Sequence, residues 1–457
     1  MSAPASLSSP STDFPSSPGA WHRKVLGLSI PIVLANLTQP LLSAVDTAIA
    51  GHMADVSVLG GVALGGLFFL FVFWGFAFLR MGTTGLVAQA HGAGDAEALR
   101  AIVLRALSLA FAFGIVVLAV RAPLIRFVIG LLGGSPTAQA RAMAYCSARI
   151  FAAPLVLANF VVLGYLLGTQ HARLALLVQW VVNVANVVAV LTFVYGFGWG
   201  IAGIGAATAC ADAVGFVLGM ALLAILRPRG LRPIRWPAVF ERHAMLHMIG
   251  INRDIFVRTA CLVVSFGWFA HTGAQLGDTV LAANALLLNF QTFMAYALDG
   301  FANAAEALVG AALGARHRAA LLAAIRVTLI WTGGGALAFS LCYLAIGPSI
   351  IDWLTDQAAV RATARTYLPW AALSPLLSAW SFALDGMFIG ATRTRDMMVS
   401  MAIAMALFLA AAMGLGHAFG NHGLWAAFML FMIVRAVTLG VRVPALVRAA
   451  VIIAPRS

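Results

Sequence analysis

The sequence predicts an all-α integral membrane protein: twelve transmembrane helices in two six-helix lobes, related by a pseudo-two-fold axis along the membrane normal. Three observations lead there. The 457 residues are 62% hydrophobic and only 9% charged, with mean hydropathy +0.97; a soluble domain carries about 25% charged residues. Apolar runs of spanning length recur between short polar breaks, and a span needs roughly 20 such residues. Landmarks of the first half also return in the second half at a fixed offset.

Residues 1–20 are rich in Ser and Pro with one acid, Asp13. They lack the basic start, apolar core and small-residue site of a cleavable signal peptide, and residues 1–22 are expected to form a disordered cytoplasmic tail. The first lobe, 23–226, holds apolar runs at 24–50, 57–89, 100–120, 138–168, 172–195 and 199–226. An arginine-rich linker follows at 227–242, with Pro228, Pro233 and Pro237. The second lobe, 243–457, holds runs at 243–272, 279–310, 318–346, 361–390, 396–417 and 423–447. The longest runs imply tilt.

The formal net charge is +13, but its placement is that of an orientation signal. Arg23 and Lys24 precede span one, and Arg100, Arg173, Arg316 and Arg393 lie at the even connections, with Arg227, Arg235 and Arg242 in the linker. Arg121, Arg126, Arg361 and Arg365 are the exceptions. The bias places both termini in the cytoplasm and leaves no case for nucleic acid as a partner. Cys146, Cys210, Cys261 and Cys342 lie singly within predicted spans and form no CxxC pair, as small apolar fillers do.

The repeat is read from glycines. Gly92 after span two and Gly314 after span eight lie 222 residues apart, as do Gly168 after span four and Gly390 after span ten. Pro154 and Pro375 match one residue out of step, and Gly203 opens span six as Gly423 opens span twelve. Six spans per copy make the halves parallel repeats, and such repeats place a transported substrate in the cleft between them.

No nucleotide site is possible. A phosphate loop needs lysine after glycine, and Lys24, the only lysine, follows Arg23. Nor is there a paired nucleophile and base or a metal motif: Ala244 stands where HExxH needs its glutamate between His243 and His247. The chain therefore reads as neither an enzyme nor a primary pump, and no cofactor or metal is expected.

Asp46 is the residue that most asks for a use. An ionisable group near the middle of a span costs roughly 2.5–3.5 kcal/mol on insertion scales, and such groups mark proton or ion sites. Gln39, Ser43 and Asp46 share one helical face, with Asn36 one turn earlier. Pro31 and Pro40 interrupt the hydrogen-bond ladder and allow a bend. In a poorly solvated cavity the neutral carboxyl is favoured, so Asp46 would bind a proton near neutral pH and release it to the cytoplasm. Asn183 and Asn186 sit on one face of span five, and Thr208 and Asp212 on one face of span six, where Asp212 equally suits a helix-packing interface. Asp299 and Glu306 in span eight and Asp385 in span ten are the second-half candidates. Arg80 lies deep in span two, and Arg253 and Asp254 form a local pair at the start of span seven. Met81, Met294, Met387, Phe68, Phe71, Trp74 and Phe76 read as apolar lining.

Four segments stand out: Pro40–His52, Trp74–Gly85, Ala295–Phe301 with Ala305–Gly310, and Leu384–Arg393. Together they resemble the MATE (multidrug and toxic compound extrusion) family, in its DinF-like branch. The likeness covers about residues 23–450. It implies two six-helix lobes and efflux coupled to inward H⁺ or Na⁺ flow, with Asp46 at the place of the family's coupling aspartate. Gln39, Asn159, Asn186 and Thr208 fall at positions similar to the family's polar cavity. One departure bears on the ion. Related proteins often carry a second carboxylate four residues after the span-five asparagine, where this chain has Val190. A Na⁺ cage without that acid is poor, which favours H⁺. The expectation is a monomeric proton-coupled exporter of amphipathic or cationic organic molecules in a bacterial inner membrane. Na⁺-coupled efflux and a lipid-linked precursor flippase are the alternatives. A flippase would favour a basic cavity, whereas the deep spans hold more acids than arginines.

Overall fold

A computed structural model describes residues 14–51, 56–228, 231 and 233–452, without the side chains of 39–48, 50–51, 56 and 449–452. Most of the tail and part of the linker, including Arg229 and Arg232, lie outside the described residues. The chain is almost wholly helical, and the described residues include no strand. Ten helical stretches are long and apolar enough to cross a membrane. The last of these, Thr394–Arg448, breaks at Gly420, where φ is 56°. With that break and the N-terminal helix Pro18–Gly51, the crossings number twelve.

Several element bounds differ from the sequence reading, each for a local reason. Span one starts at Pro18, so residues 18–22 belong to the helix and not to the tail. Ser17 Oγ accepts the Ala20 amide at 3.3 Å, and proline suits the first helical position because its missing N–H would be unpaired there anyway. Span two is interrupted: Val56–Trp74 and Phe78–Gly92 are joined by a tight turn whose amides bond three residues back. A short helix, Arg121–Leu132, precedes span four, and Ser135 caps the helix that follows, its Oγ accepting the Ala138 amide at 3.2 Å. Spans eleven and twelve lack the expected polar loop and are divided by Gly420 alone.

The chain packs as two compact units that do not follow the two halves of the sequence. One contains 34–87 and 96–248; the other contains the described residues up to Val33, Ala88–Asp95 and everything from Ile249. The boundary falls inside the first helix, between Pro31 and Pro40. Glycines explain why the segment after span two joins the second unit. A methyl on Gly92 would fall on the Ala311 backbone, and one on Gly314 would fall on the Gln89 backbone. These two contacts exchange residues 222 positions apart, as a local two-fold requires. Trp331 Nε1 donates to His22 Nδ1 at 3.0 Å and ties the start of span one to span nine.

The same offset governs packing within each unit. Gly164 and Gly168 of span four approach the carbonyls of Arg80 and Thr84 of span two so closely that an added Cβ would lie 2.8 Å from each oxygen. Gly386 and Gly390 of span ten meet the carbonyls of Ala302 and Glu306 of span eight even more closely. All four pairs correspond at 222 residues. This is small-xxx-small packing, in which glycine lets two backbones touch where lipid provides no hydrophobic drive.

The helix ends repeat as well. After spans two, four, eight and ten, Gly94, Gln170, Arg316 and Thr392 take the left-handed conformation, with φ of 68°, 63°, 55° and 53°. In each turn the next amide reaches back five residues: Asp95 to Ala90, His171 to Leu166, His317 to Ala312 and Arg393 to Phe388. That bond satisfies carbonyls the helix end would otherwise leave open.

Gly164→Ala and Gly386→Ala are each expected to lower stability in detergent by about 1–3 kcal/mol, because a methyl meets unyielding backbone. Gly250→Ala, which has nothing within 4 Å, is expected to leave the melting temperature unchanged or slightly raised. Thermal unfolding of the purified variants tests both.

Candidate functional site

Span one holds the central candidate, but the side chains of Asp46, Gln39, Ser43 and Pro40 lie outside the described residues. Their backbone runs in one continuous helix that also contains Pro31. Asn36 is half-buried, and neighbouring Thr38 turns its hydroxyl to the Ala35 carbonyl at 2.7 Å.

The remaining candidates of the first unit gather on spans four, five and six. Asn186 is fully buried and its Nδ2 donates to Thr208 Oγ1 at 3.1 Å. The amide orientation follows from the network: the Thr208 hydroxyl is committed to the Ile204 carbonyl at 3.1 Å, so its oxygen must accept. Asn159 Nδ2 donates to the backbone carbonyl of Asp212 at 2.9 Å. A turn before Asn186 on span five, Asn183 Oδ1 accepts from Gln179 Nε2 at 3.0 Å, which turns Asn183 toward a local partner. Val190, where the family resemblance puts a second acid, is fully buried. Three buried oxygens in this region find no donor: Oδ1 of Asn159, Oδ1 of Asn186 and Oδ2 of Asp212. The open polar atoms among these residues are therefore acceptors. They suit a ligand that donates or carries positive charge.

The second unit treats its acids differently. Asp385 Oδ2 accepts from Arg258 of span seven and, at 2.8 Å, from Arg435 of span twelve. All three residues are buried, Arg435 with 2% of its surface exposed. Asp385 is thus the anion of a buried ion group. Asp299 of span eight also lies within electrostatic reach of Arg435. Glu306 is buried on the same helix one turn beyond Asn303, whose Nδ2 donates to the Asp299 carbonyl at 2.8 Å. Arg253 pairs with Asp254 at 2.8 Å, and Thr394 donates to the other Asp254 oxygen at 3.2 Å. Arg258 and Arg435 escaped the sequence reading. Their signal was available, since each is an arginine embedded in an apolar run.

Away from these charges, neutral hydrogen bonds lock the same helices together. Asn284 and Asn421 exchange amide bonds at 2.7 and 2.9 Å, and Trp425 Nε1 donates to Asn284 Oδ1 at 2.9 Å. Met294, Met387 and Phe68, expected as cavity lining, are fully buried; Phe71 and Trp74 are exposed.

The MatE family profile matches residues 31–194 and 255–413, which is most of both halves. The chain belongs to the MATE family. Its members are transporters and not enzymes, and the chain is a multi-pass membrane protein. DNA damage-inducible protein F of Escherichia coli strain K12 is 39% identical over 424 residues, covering 92% of this chain and 90% of the relative. A probable multidrug resistance protein NorM of Agrobacterium fabrum is 25% identical over 452 residues, covering 95% and 96%. Among solved structures, the Vibrio cholerae MATE transporter VcmN in its bent form superposes with a TM-score of 0.85 at 18% identity, covering 96% of this chain and 99% of that one. A MOP superfamily transporter from Pyrococcus furiosus gives 0.84 at 18% identity, with the same coverage. At that identity the likeness establishes the MATE fold.

Asp385→Asn is expected to destabilise the protein by about 3–5 kcal/mol, the usual cost of leaving buried charges without their counterion. Replacing Arg258, Asp385 and Arg435 together by Met, Leu and Met should recover most of that loss. Unfolding in detergent, followed by intrinsic fluorescence, distinguishes the two outcomes.

Proposed function

We propose that this MATE transporter exports amphipathic, cationic organic molecules by alternating access, driven by inward proton flow through Asp46. Relatives named as multidrug resistance proteins support the substrate class. So do the donor-free oxygens of Asn159, Asn186 and Asp212, which favour a positively charged guest. The observation that carries the choice of ion is Val190. It is apolar and fully buried, so Asn186 and Thr208 lack the neighbouring carboxylate that would complete a Na⁺ cage on span five. Hard cations such as Na⁺ need several oxygen ligands, whereas a proton needs one. Asn36, Gln39 and Ser43 support the coupling aspartate, and Pro31 and Pro40 allow its helix to bend. The second-half acids are structural in this reading, because Asp385 and Asp299 serve Arg258 and Arg435. For the same reason those arginines do not form the open basic cavity a lipid-linked precursor flippase would use. The protein acts as a monomer in the bacterial inner membrane, with both termini in the cytoplasm.

The test is efflux of a cationic dye from proteoliposomes with pH and Na⁺ gradients imposed separately. A pH gradient is expected to drive transport and a Na⁺ gradient to leave it at background. Asp46→Asn should reduce pH-driven transport to the rate of protein-free liposomes. Transport driven by Na⁺ alone, or an unaltered Asp46→Asn variant, would overturn the reading.

A further inference from the structure

We propose that Asp212 is a second proton-binding carboxylate, carried by span six and acting in the same transport cycle as Asp46; the coupling role rests on the function proposed above. Asp212 lies one helical turn after Thr208 and on the same face. Spans four and five close around this part of span six. Asn159 of span four donates to its backbone carbonyl at 2.9 Å. Gly215, three residues on, packs against Asn159 and against Val182 of span five. Asn186 of span five holds Thr208 at 3.1 Å.

The carboxylate itself is left open. Its Oδ2 is buried and no donor reaches it, and the amide oxygens of Asn159 and Asn186 are also without donors. A buried carboxylate oxygen with no donor is strongly disfavoured while charged. A proton on Oδ2 removes the charge by forming a single O–H bond. It also turns one of these three open acceptor oxygens into a donor.

The charged neighbourhood leaves Asp212 free to exchange that proton. The amides that hold this part of span six, Asn159 and Asn186, are uncharged. Arg149, at the end of the helix Pro136–Arg149 packed on span six, is within electrostatic reach but forms no ion pair with Asp212. Arg149 is held by the Tyr145 hydroxyl at 3.0 Å and lies 4.4 Å above the Phe69 ring. Asp385 makes the contrast: two guanidinium groups bind one of its oxygens and fix its charge. Asp212 has no such clamp.

Infrared difference spectra across a pH titration test this on purified protein in liposomes, without reference to transport. In the wild type, a protonated-carboxyl band should grow as pH falls. Asp212→Asn should lose one component of that band while keeping the component that Asp46→Asn removes. Asp212→Glu, which preserves the acid, should retain the component at a shifted position and pH. A titration in Asp212→Asn that matches the wild type overturns the proposal. Should Asp212→Asn fail to fold, the glutamate variant decides, since an unshifted band there overturns it equally. An unchanged band in Asp46→Asn, with the Asp212 component present, would count against the Asp46 reading alone.

Discussion

Contact between helix backbones, made possible by glycine, is the constraint on which this structure rests. Inside a bilayer, apolar side chains gain little by leaving lipid for protein, so helices associate through close packing and hydrogen bonds. Gly164 and Gly168 against span two, and Gly386 and Gly390 against span eight, bring carbonyl and Cα into direct contact. The polar chemistry is placed from these crossings. Asp385 immediately precedes Gly386, so the register that seats the glycine also sets the depth of the carboxylate at which Arg258 and Arg435 converge. In the first unit the crossing of spans two and four fixes the helix that carries Asn159.

The backbone repeats and the chemistry does not. Leu163 stands 222 residues before Asp385, so the first half has no acid at the place where the second half builds its ion group. The second half in turn joins Asn284, Asn421 and Trp425 in one buried hydrogen-bonded group. The first half leaves oxygens open at Asn159, Asn186 and Asp212. Buried polar atoms without a hydrogen bond occur in the second half too, at Gln291, Thr328 and Thr332. The duplicated halves therefore differ in which groups they bring together: a buried ion group in one, uncharged amides around a carboxylate in the other.

Much of the architecture was legible because it is written in periodic composition. Apolar runs gave the twelve crossings, and glycines at a constant offset gave the repeat. Boundaries were harder where one residue overrides composition: Ser17 and Pro18 start a helix inside a stretch that reads as tail, and Gly420 turns the chain without a polar loop. The Asn186–Thr208 pair joined two residues already suspected on their own helices. The fate of Asp385 was not legible, because helical spacing says which residues share a face but not which other helix that face meets. Arg258 and Arg435 lie 127 and 50 residues from Asp385 in the chain. Asp212 was ambiguous for the same reason, and only the neighbours from spans four and five resolve its surroundings.

The left-handed turns after spans two, four, eight and ten leave three residues between one helix and the next. Gln170, Arg316 and Thr392 hold that conformation despite carrying side chains, which ordinarily costs roughly 1–2 kcal/mol. Joints this short contain no slack. Each pair of spans they connect has to travel as one stiff hairpin during any change of shape. Compliance must then come from elsewhere, and the proline-bearing helix interiors are where the backbone ladder already has gaps.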